Sequence, residues 1–297
     1  MTTSNKQSTG ITKELLDNVD CRLGEYVNKF VMKLRNKVNR LIGRIACRFF
    51  QKYRKNPGWL ICNTFLVGDN VAAIRFRAHD MGDWGVVHQV FHCLDYRVDL
   101  WPQGKALAKF YEDCAKINTP LIIDAGANIG TSCVYFSSLY PKSMVIAIEP
   151  EKNNCSMLRL NCQNRRIDVH EAALGNKPGK LFLEDPGLSS WGFRVGDQGD
   201  YAVDVITVEQ LLESASEESV PFILKIDIEG GEQSLFDAEC LWFSKFPLIV
   251  IELHDWMLPG SGSSNNFLRK LSKHNFDILH RGENLFCFNN EKLRGYL

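Results

Sequence analysis

LIIDAGANIGT, Leu121 to Thr131, and LKIDIEGGE, Leu224 to Glu232, are the two stretches whose reading decides the fold. Each has the pattern of a buried strand running into a helix through an acidic or glycine-rich corner. In an open α/β sheet, ligands sit where strands end and the chain order reverses, and the first such corner is the usual nucleotide pocket. The pair predicts a nucleotide-type cofactor beside a carboxylate-rich reaction site.

Outward from these stretches, strand and helix signals alternate from Thr119 onward. LIIDA, a helix after Gly130, MVIAIEP, a helix around Asn154 to Asn164, IDVHEAAL, KLFLE and AVDVIT come first. FILKIDIE, a helix after Gly231, LIVIELH, a helix near Asn266 to His274, and the pair FDILHR and NLFCFN follow. Such alternation predicts a mostly parallel sheet covered on both faces. The R-G-E-N turn between the last two strands predicts an antiparallel edge hairpin. Upstream, WLICNTFLV and VAAIRFRA read as short strands around a G-D-N turn, and a helix is expected around Ala106 to Lys116.

The glycine corner discriminates between cofactors. A nicotinamide fingerprint wants G-x-G-x-x-G, but Gly126 is followed by Asn128 and then Gly130, so the middle glycine that admits a pyrophosphate is absent. Asp124 at the strand end instead suits a ligand carrying an ammonium group. Glu149, before Pro150 at the end of the next strand, is placed to accept from both hydroxyls of a ribose.

These residues carry a resemblance to the FkbM family of class I S-adenosylmethionine-dependent methyltransferases. The matching motifs are D-A-G-A-N-I-G at Asp124 to Gly130, E-P at Glu149 and Pro150 with Asn154, Leu158 and Asn161, and A-L-G at Ala173 to Gly175. K-I-D-I-E-G-G-E at Lys225 to Glu232, I-E-L-H at Ile251 to His254, and D-W-x-V-x-x-Q-V-F at Asp83 to Phe91 complete the set. The resemblance implies an α/β, Rossmann-like class I methyltransferase fold with a mostly parallel seven-stranded sheet and an antiparallel edge hairpin. A helical N-terminal extension (1–56) and a small cap region (57–118) precede the methyltransferase domain (119–297). It implies S-adenosyl-L-methionine as cofactor, bound by Asp124, Gly126, Ala127, Asn128, Gly130 and Glu149, and O-methylation of a hydroxyl on a sugar, glycan or secondary metabolite. Gly231 stands where the family often has alanine.

Methyl transfer to an alcohol requires alignment of the acceptor oxygen and removal of its proton. Lys225, Asp227, Glu229, Glu232, Glu252 and His254 converge near the ends of two predicted strands. Alternation along ILKIDIEG puts Lys225, Asp227 and Glu229 on one side. Asp227 is the first candidate for the reacting region, His254 the candidate base on chemical grounds, and Lys225 and Glu229 complete the catalytic set. Glu232 reads as a first-turn acid favoured by the helix dipole. Asp227, Glu229, Glu252 and His254 have the donor atoms for a divalent ion, but their spacing matches no metal motif, and no metal is expected. Base-directed methyltransferases of this fold carry an N-P-P-Y-like corner where this chain has K-I-D-I-E-G, which argues against nucleic acid. A protein acceptor and a binding module without turnover stay open as alternatives.

The 297 residues are 45% hydrophobic with zero formal net charge, ordinary for one substantial domain with attachments. The charge is uneven: Met1 to Lys55 holds thirteen Lys and Arg against four Asp and Glu. Over residues 29–55 no acid occurs, and Val31, Leu34, Val38, Leu41, Ile45 and Phe49 recur at helical spacing beside Lys33, Lys37, Arg40, Arg44 and Arg48. This predicts a basic amphipathic helix, for docking, a homo-oligomer or an anionic membrane surface. Ten scattered cysteines with no C-x-x-C pair read as reduced core residues. A polar start and apolar runs too short to span a bilayer lead to a cytoplasmic expectation, with peripheral membrane contact as the variant.

Overall fold

The computed structural model describes residues 60–184, 194–196, 201–257 and 259–297, all within one compact unit that begins at Arg54. The basic stretch 29–55 lies outside the described residues. Among these residues no helix is long and apolar enough to cross a membrane.

Strands β1 (Leu60–Val67) and β2 (Asn70–Arg77) form the expected hairpin, Val67 opposite Asn70. Phe65, Val67, Ala72, Ile74 and Phe76 on its inner face are buried, in the period of two that one covered face requires. Helix α1 (Met81–Val87) is capped by Asp80, whose carboxylate accepts from the backbone N–H of Gly82 and Asp83 at 2.8 and 3.2 Å. It passes into a π-helical turn, His88–Cys93, where the sequence pattern predicted no element. Helix α2 (Pro102–Ile117) starts with proline in its first turn, where a missing N–H removes no hydrogen bond.

The main domain then runs β3 (Thr119–Ala125), α3 (Thr131–Leu139), β4 (Met144–Ile148), α4 (Lys152–Asn161), β5 (Ile167–His170) and β6 (Ala173–Leu174). It continues with β7 (Gly179–Glu184), β8 (Arg194–Gly196), β9 (Tyr201–Ile206), α5 (Val208–Ser214) and β10 (Ser219–Ile226). The last elements are α6 (Glu232–Leu235), β11 (Leu248–Glu252), α7 (Asn265–Leu271), β12 (Phe276–Arg281), β13 (Asn284–Asn289) and α8 (Asn290–Leu293). Seven strands form one sheet in the order β12-β13-β11-β10-β3-β4-β5, with β13 alone antiparallel to the rest. The expected edge hairpin is β12 and β13, with β13 as the inner strand. Strands β3, β4 and β11 are buried along nearly their whole length, and β10 from Phe222 onward, which is why they read as continuous apolar runs.

Four elements differ from the sequence reading. KLFLE and AVDVIT leave the main sheet and pair with β6 and β8 in a separate four-stranded sheet, β6-β9-β7-β8. Their alternate residues are exposed, Lys180 and Asp204 among them, which suits a half-covered sheet and not one buried on both faces. Helix α5, unpredicted, begins at a capping box of Thr207 and Gln210. The helix after Gly231 is a single turn, because Phe236 turns into an aromatic cluster with Trp242, Phe243 and Phe267.

Candidate active site

The sheet order reverses between β3 and β10, so the corners after these strands open on one crevice. Gly126 has φ +76°, and its N–H and that of Ala127 both donate to the Ile148 carbonyl at 3.0 Å. A Cβ on Gly126 would lie 1.7 Å from the Asp227 carbonyl oxygen, so only glycine lets the two corners meet. Asn128 adopts φ +49°, its Oδ1 accepting from the Ile129 N–H at 2.7 Å, and Gly130 at φ +90° sets the chain into α3. Asn161 clamps this loop from α4: its Nδ2 donates to the carbonyls of Ile129 (2.7 Å) and Arg75 (2.8 Å), and its Oδ1 accepts from the Arg75 N–H at 2.7 Å.

Glu149 follows β4 and is 5% exposed. Its Oε2 accepts from the Asn128 N–H at 2.8 Å and its Oε1 from the Glu151 N–H at 2.9 Å. Burial pushes its carboxyl up to about 7, against the opposing pull of these two backbone donors.

Asp124 sits one layer deeper, fully buried. Its Oδ2 accepts from the Cys133 thiol at 3.0 Å, and its Oδ1 lies 3.3 Å from the Lys225 ammonium. Lys225, 2% exposed, donates to the Gly126 carbonyl at 2.7 Å and lies 3.3 Å from Asp227 Oδ2. Burial alone would lower the affinity of Lys225 for its proton, but the charges of Asp124 and Asp227 outweigh it and hold the amine well above the ordinary lysine range. A permanently charged amine ties the two corners together and is not a proton acceptor.

At the ends of β10 and β11 the side-chain alternation of a strand no longer applies, because β10 stops at Ile226 and Glu229 adopts φ +51°. Asp227, Glu229, Glu232 and Glu252 instead surround His254, which is 1% exposed. His254 Nδ1 bonds Glu232 Oε1 at 2.7 Å, and Nε2 lies 3.4 Å from Glu229 Oε2, 3.5 Å from Glu252 Oε1 and 3.6 Å from Asp227 Oδ1. Burial opposes a charge on this imidazole, but Glu232, Glu252 and Asp227 carry its proton affinity up to about 11. Burial and the Asp227 charge push Glu229 up to about 8, and burial raises Glu252. Glu232 is therefore more than a first-turn acid: it is the buried partner of His254.

A cavity of about 630 Å³ opens over these corners. Gly126, Ala127, Asn128 and Glu149 line one side, and Lys225, Asp227, Glu229 and Glu252 the other. Of the candidate site residues named from the sequence, Asp124, Gly130, Glu232 and His254 stand behind the wall. Gln89, the glutamine of the D-W-x-V-x-x-Q-V-F motif, lines it, as do residues that the sequence reading did not single out: Thr131 and Ser132 at the start of α3, His88, Asp95 and Tyr96 around the π-helical turn, and Trp256. The polar pair His88-Gln89 inside the apolar run VVHQVF was the available signal for the turn; Trp256, 62% exposed, had none.

The model of the FkbM methyltransferase domain matches residues 124–278, more than half of the chain and every corner just described. The protein belongs to the FkbM methyltransferase family. Two relatives extend the comparison. The hexuronic acid methyltransferase AglP of Haloferax volcanii is 25% identical over 134 residues, covering 44% of this chain and 54% of the relative. Methyltransferase 1 of Beauveria bassiana is 25% identical over 152 residues, covering 43% of this chain and 61% of the relative. The FkbM chain thus spans little more than half the length of these relatives. Among solved structures, a Methanococcus jannaschii fibrillarin pre-rRNA processing protein matches with a TM-score of 0.38 at 12% identity, over 76% of this chain and 80% of that one.

Proposed function

We propose that this FkbM protein transfers a methyl group from S-adenosylmethionine to a hydroxyl of a sugar, glycan or related small molecule. The observation that carries the reading is one cavity at the sheet's switch point with a nucleoside-type wall and a carboxylate wall facing each other.

The residues fit such a cofactor. Glu149 keeps lone pairs for ribose hydroxyls while its backbone bonds fix its orientation. Thr131 and Ser132, in the first turn of α3, offer donors for the carboxylate of a methionine moiety. Asp124 acts indirectly here, by holding Lys225 and through it the Gly126 carbonyl. S-adenosylmethionine supplies, when bound, a methyl group already activated on a sulfonium.

Asp227 and Glu229 then orient the acceptor hydroxyl and take up its proton, since both reach the cavity. Lys225 and His254 are positioning residues that hold these carboxylates in place. Trp256 and Tyr96 give the acceptor an aromatic wall. The naming of one relative as a hexuronic acid methyltransferase supports putting uronic acids first among acceptors.

Calorimetry with S-adenosylhomocysteine, then transfer of labelled methyl to a panel of uronic acids, hexoses and glycans, tests the reading. Asp227→Asn and Glu229→Gln are expected to lower turnover at least about a hundredfold while leaving cofactor affinity within about threefold. Wild-type protein that binds no cofactor, or variants that transfer at the wild-type rate, would overturn it.

A further inference from the structure

We propose that Asp227, Glu252 and His254 form a divalent cation site at the acceptor end of the cavity. Asp227 follows β10 and Glu252 ends β11, each one residue past the pair Ile226 and Ile251, so the register of the two strands brings them together. One ligand atom from each of Asp227, Glu252 and His254 lies within 4.8 Å of the others. Donors about 2.1 Å from an ion stand about 3.0 to 4.2 Å apart. The His254 Nε2 distances of 3.5 and 3.6 Å to Glu252 and Asp227 fall in that range.

A second observation stands apart from these distances. Asp227 Oδ1 and Glu229 Oε2 are buried, face His254 Nε2, and receive no hydrogen bond. A carboxylate oxygen removed from water without a donor is costly unless a cation is its partner; in the ion-free protein the Nε2 proton of His254 supplies that charge, and a bound ion would displace it. His254 is oriented for that partner: Glu232 takes Nδ1 at 2.7 Å from a fully buried position, which turns Nε2 inward. A carboxylate on the far nitrogen is the usual support for a metal-ligating histidine.

Four carboxyl groups share one imidazole here. Asp227, Glu229, Glu232 and Glu252 crowd one buried end of the cavity, and Lys225 is shared with Asp124. One nitrogen with two or three carboxylate oxygens suits Mn²⁺, Mg²⁺ or Zn²⁺. Asp227 and Glu252 line the cavity while His254 backs it, so the remaining coordination positions face the acceptor space. On the methyl-transfer reading, such an ion would hold the acceptor oxygen and make its proton easier to remove. The sequence reading expected no metal, because a set split between residue 227 and the pair 252 and 254 has no linear motif.

The test uses full-length, EDTA-treated protein with neither cofactor nor acceptor. Mn²⁺ is titrated and the free-ion electron paramagnetic resonance signal followed, with Mg²⁺ and Zn²⁺ as competitors. One bound ion per chain is expected, weakened at least about tenfold by Asp227→Asn and by Glu252→Gln, and about 10- to 100-fold by Glu232→Gln. Asp204→Asn, at an exposed carboxylate paired with Lys180, should leave binding unchanged. Wild-type protein that is folded by circular dichroism yet binds none of the three ions would overturn the proposal. So would binding that Asp227→Asn and Glu252→Gln both leave intact. S-adenosylhomocysteine binding on the same sample is scored separately, so the ion site and the methyl-transfer reading can fail independently.

Discussion

Glu149 shows how a single carboxylate can be legible in sequence for its position and not for its energetics. Its place after β4 follows from the strand pattern, whereas its proton affinity follows from burial, which raises the carboxyl from 4.5 to about 7. A carboxyl whose folded value lies above its unfolded one favours the folded state fully below the unfolded value, near 4.5. That contribution is lost as the pH rises through about 7. At about 1.4 kcal/mol for each tenfold in proton affinity, the loss is on the order of 3 kcal/mol. Urea unfolding of wild type and Glu149→Gln at a series of pH values should show the wild type losing stability relative to the variant by this order between pH 4.5 and 7.5. A difference independent of pH would mean that the carboxyl is ionised throughout. His254 gives the complementary lesson: an unperturbed imidazole suits a general base, but one ringed by four carboxylates keeps its proton until an ion displaces it.

At the scale of elements, the β1–β2 hairpin, α1 and α4 are held to one another by a buried polar network. Asp83, fully buried, accepts from the Arg77 backbone N–H at 2.7 Å and from Nε and Nη2 at 2.9 and 2.6 Å, and the same Nη2 donates to Asn154 Oδ1 at 2.7 Å. Removing Asp83 takes the close partner from a half-buried guanidinium and leaves it Asp80, 3.7 Å from Nε; breaking such a pair typically costs about 3 kcal/mol. Asp83→Ala should therefore lower the stability by about 3 kcal/mol. Amide exchange should speed up in β2 and α1, with β3 and β10 less affected. Equal acceleration across the sheet would mean that the hairpin and the main sheet open as one unit. The network also reaches the cofactor corner, since Asn161 bonds both Arg75 and Ile129.

On the scale of the whole molecule, the basic stretch 29–55 is the largest feature that the methyltransferase fold does not require. Each Lys or Arg near an anionic bilayer contributes about 1 kcal/mol, attenuated by salt. Full-length protein with Lys33, Lys37, Arg40, Arg44 and Arg48 changed to Gln should bind phosphatidylserine vesicles more than about a hundredfold less tightly than wild type at low salt. Equal co-sedimentation of the two, or equal binding to neutral vesicles, would assign the stretch to docking or self-association. In the described residues, the sequence by itself determined the sheet-forming strands, the turns between them and the glycine corner. These rest on local properties: hydrophobic period, and positive φ at Gly126 and Gly130. It also placed Glu149, Asp227 and Glu229 at strand ends. Only the tertiary structure decided which of the named residues reach the cavity. Asp124, Gly130, Glu232 and His254 fall behind its wall, while Thr131, Tyr96 and Trp256 reach it. The separate sheet of β6 to β9 and the gathering of Asp227, Glu252 and His254 were likewise fixed there. The physical reason is that burial, charge and strand register are properties of neighbours distant in sequence: Asp227 meets Glu252 only because β10 and β11 pair in parallel, and His254 is ringed by acids only because that pairing gathers them.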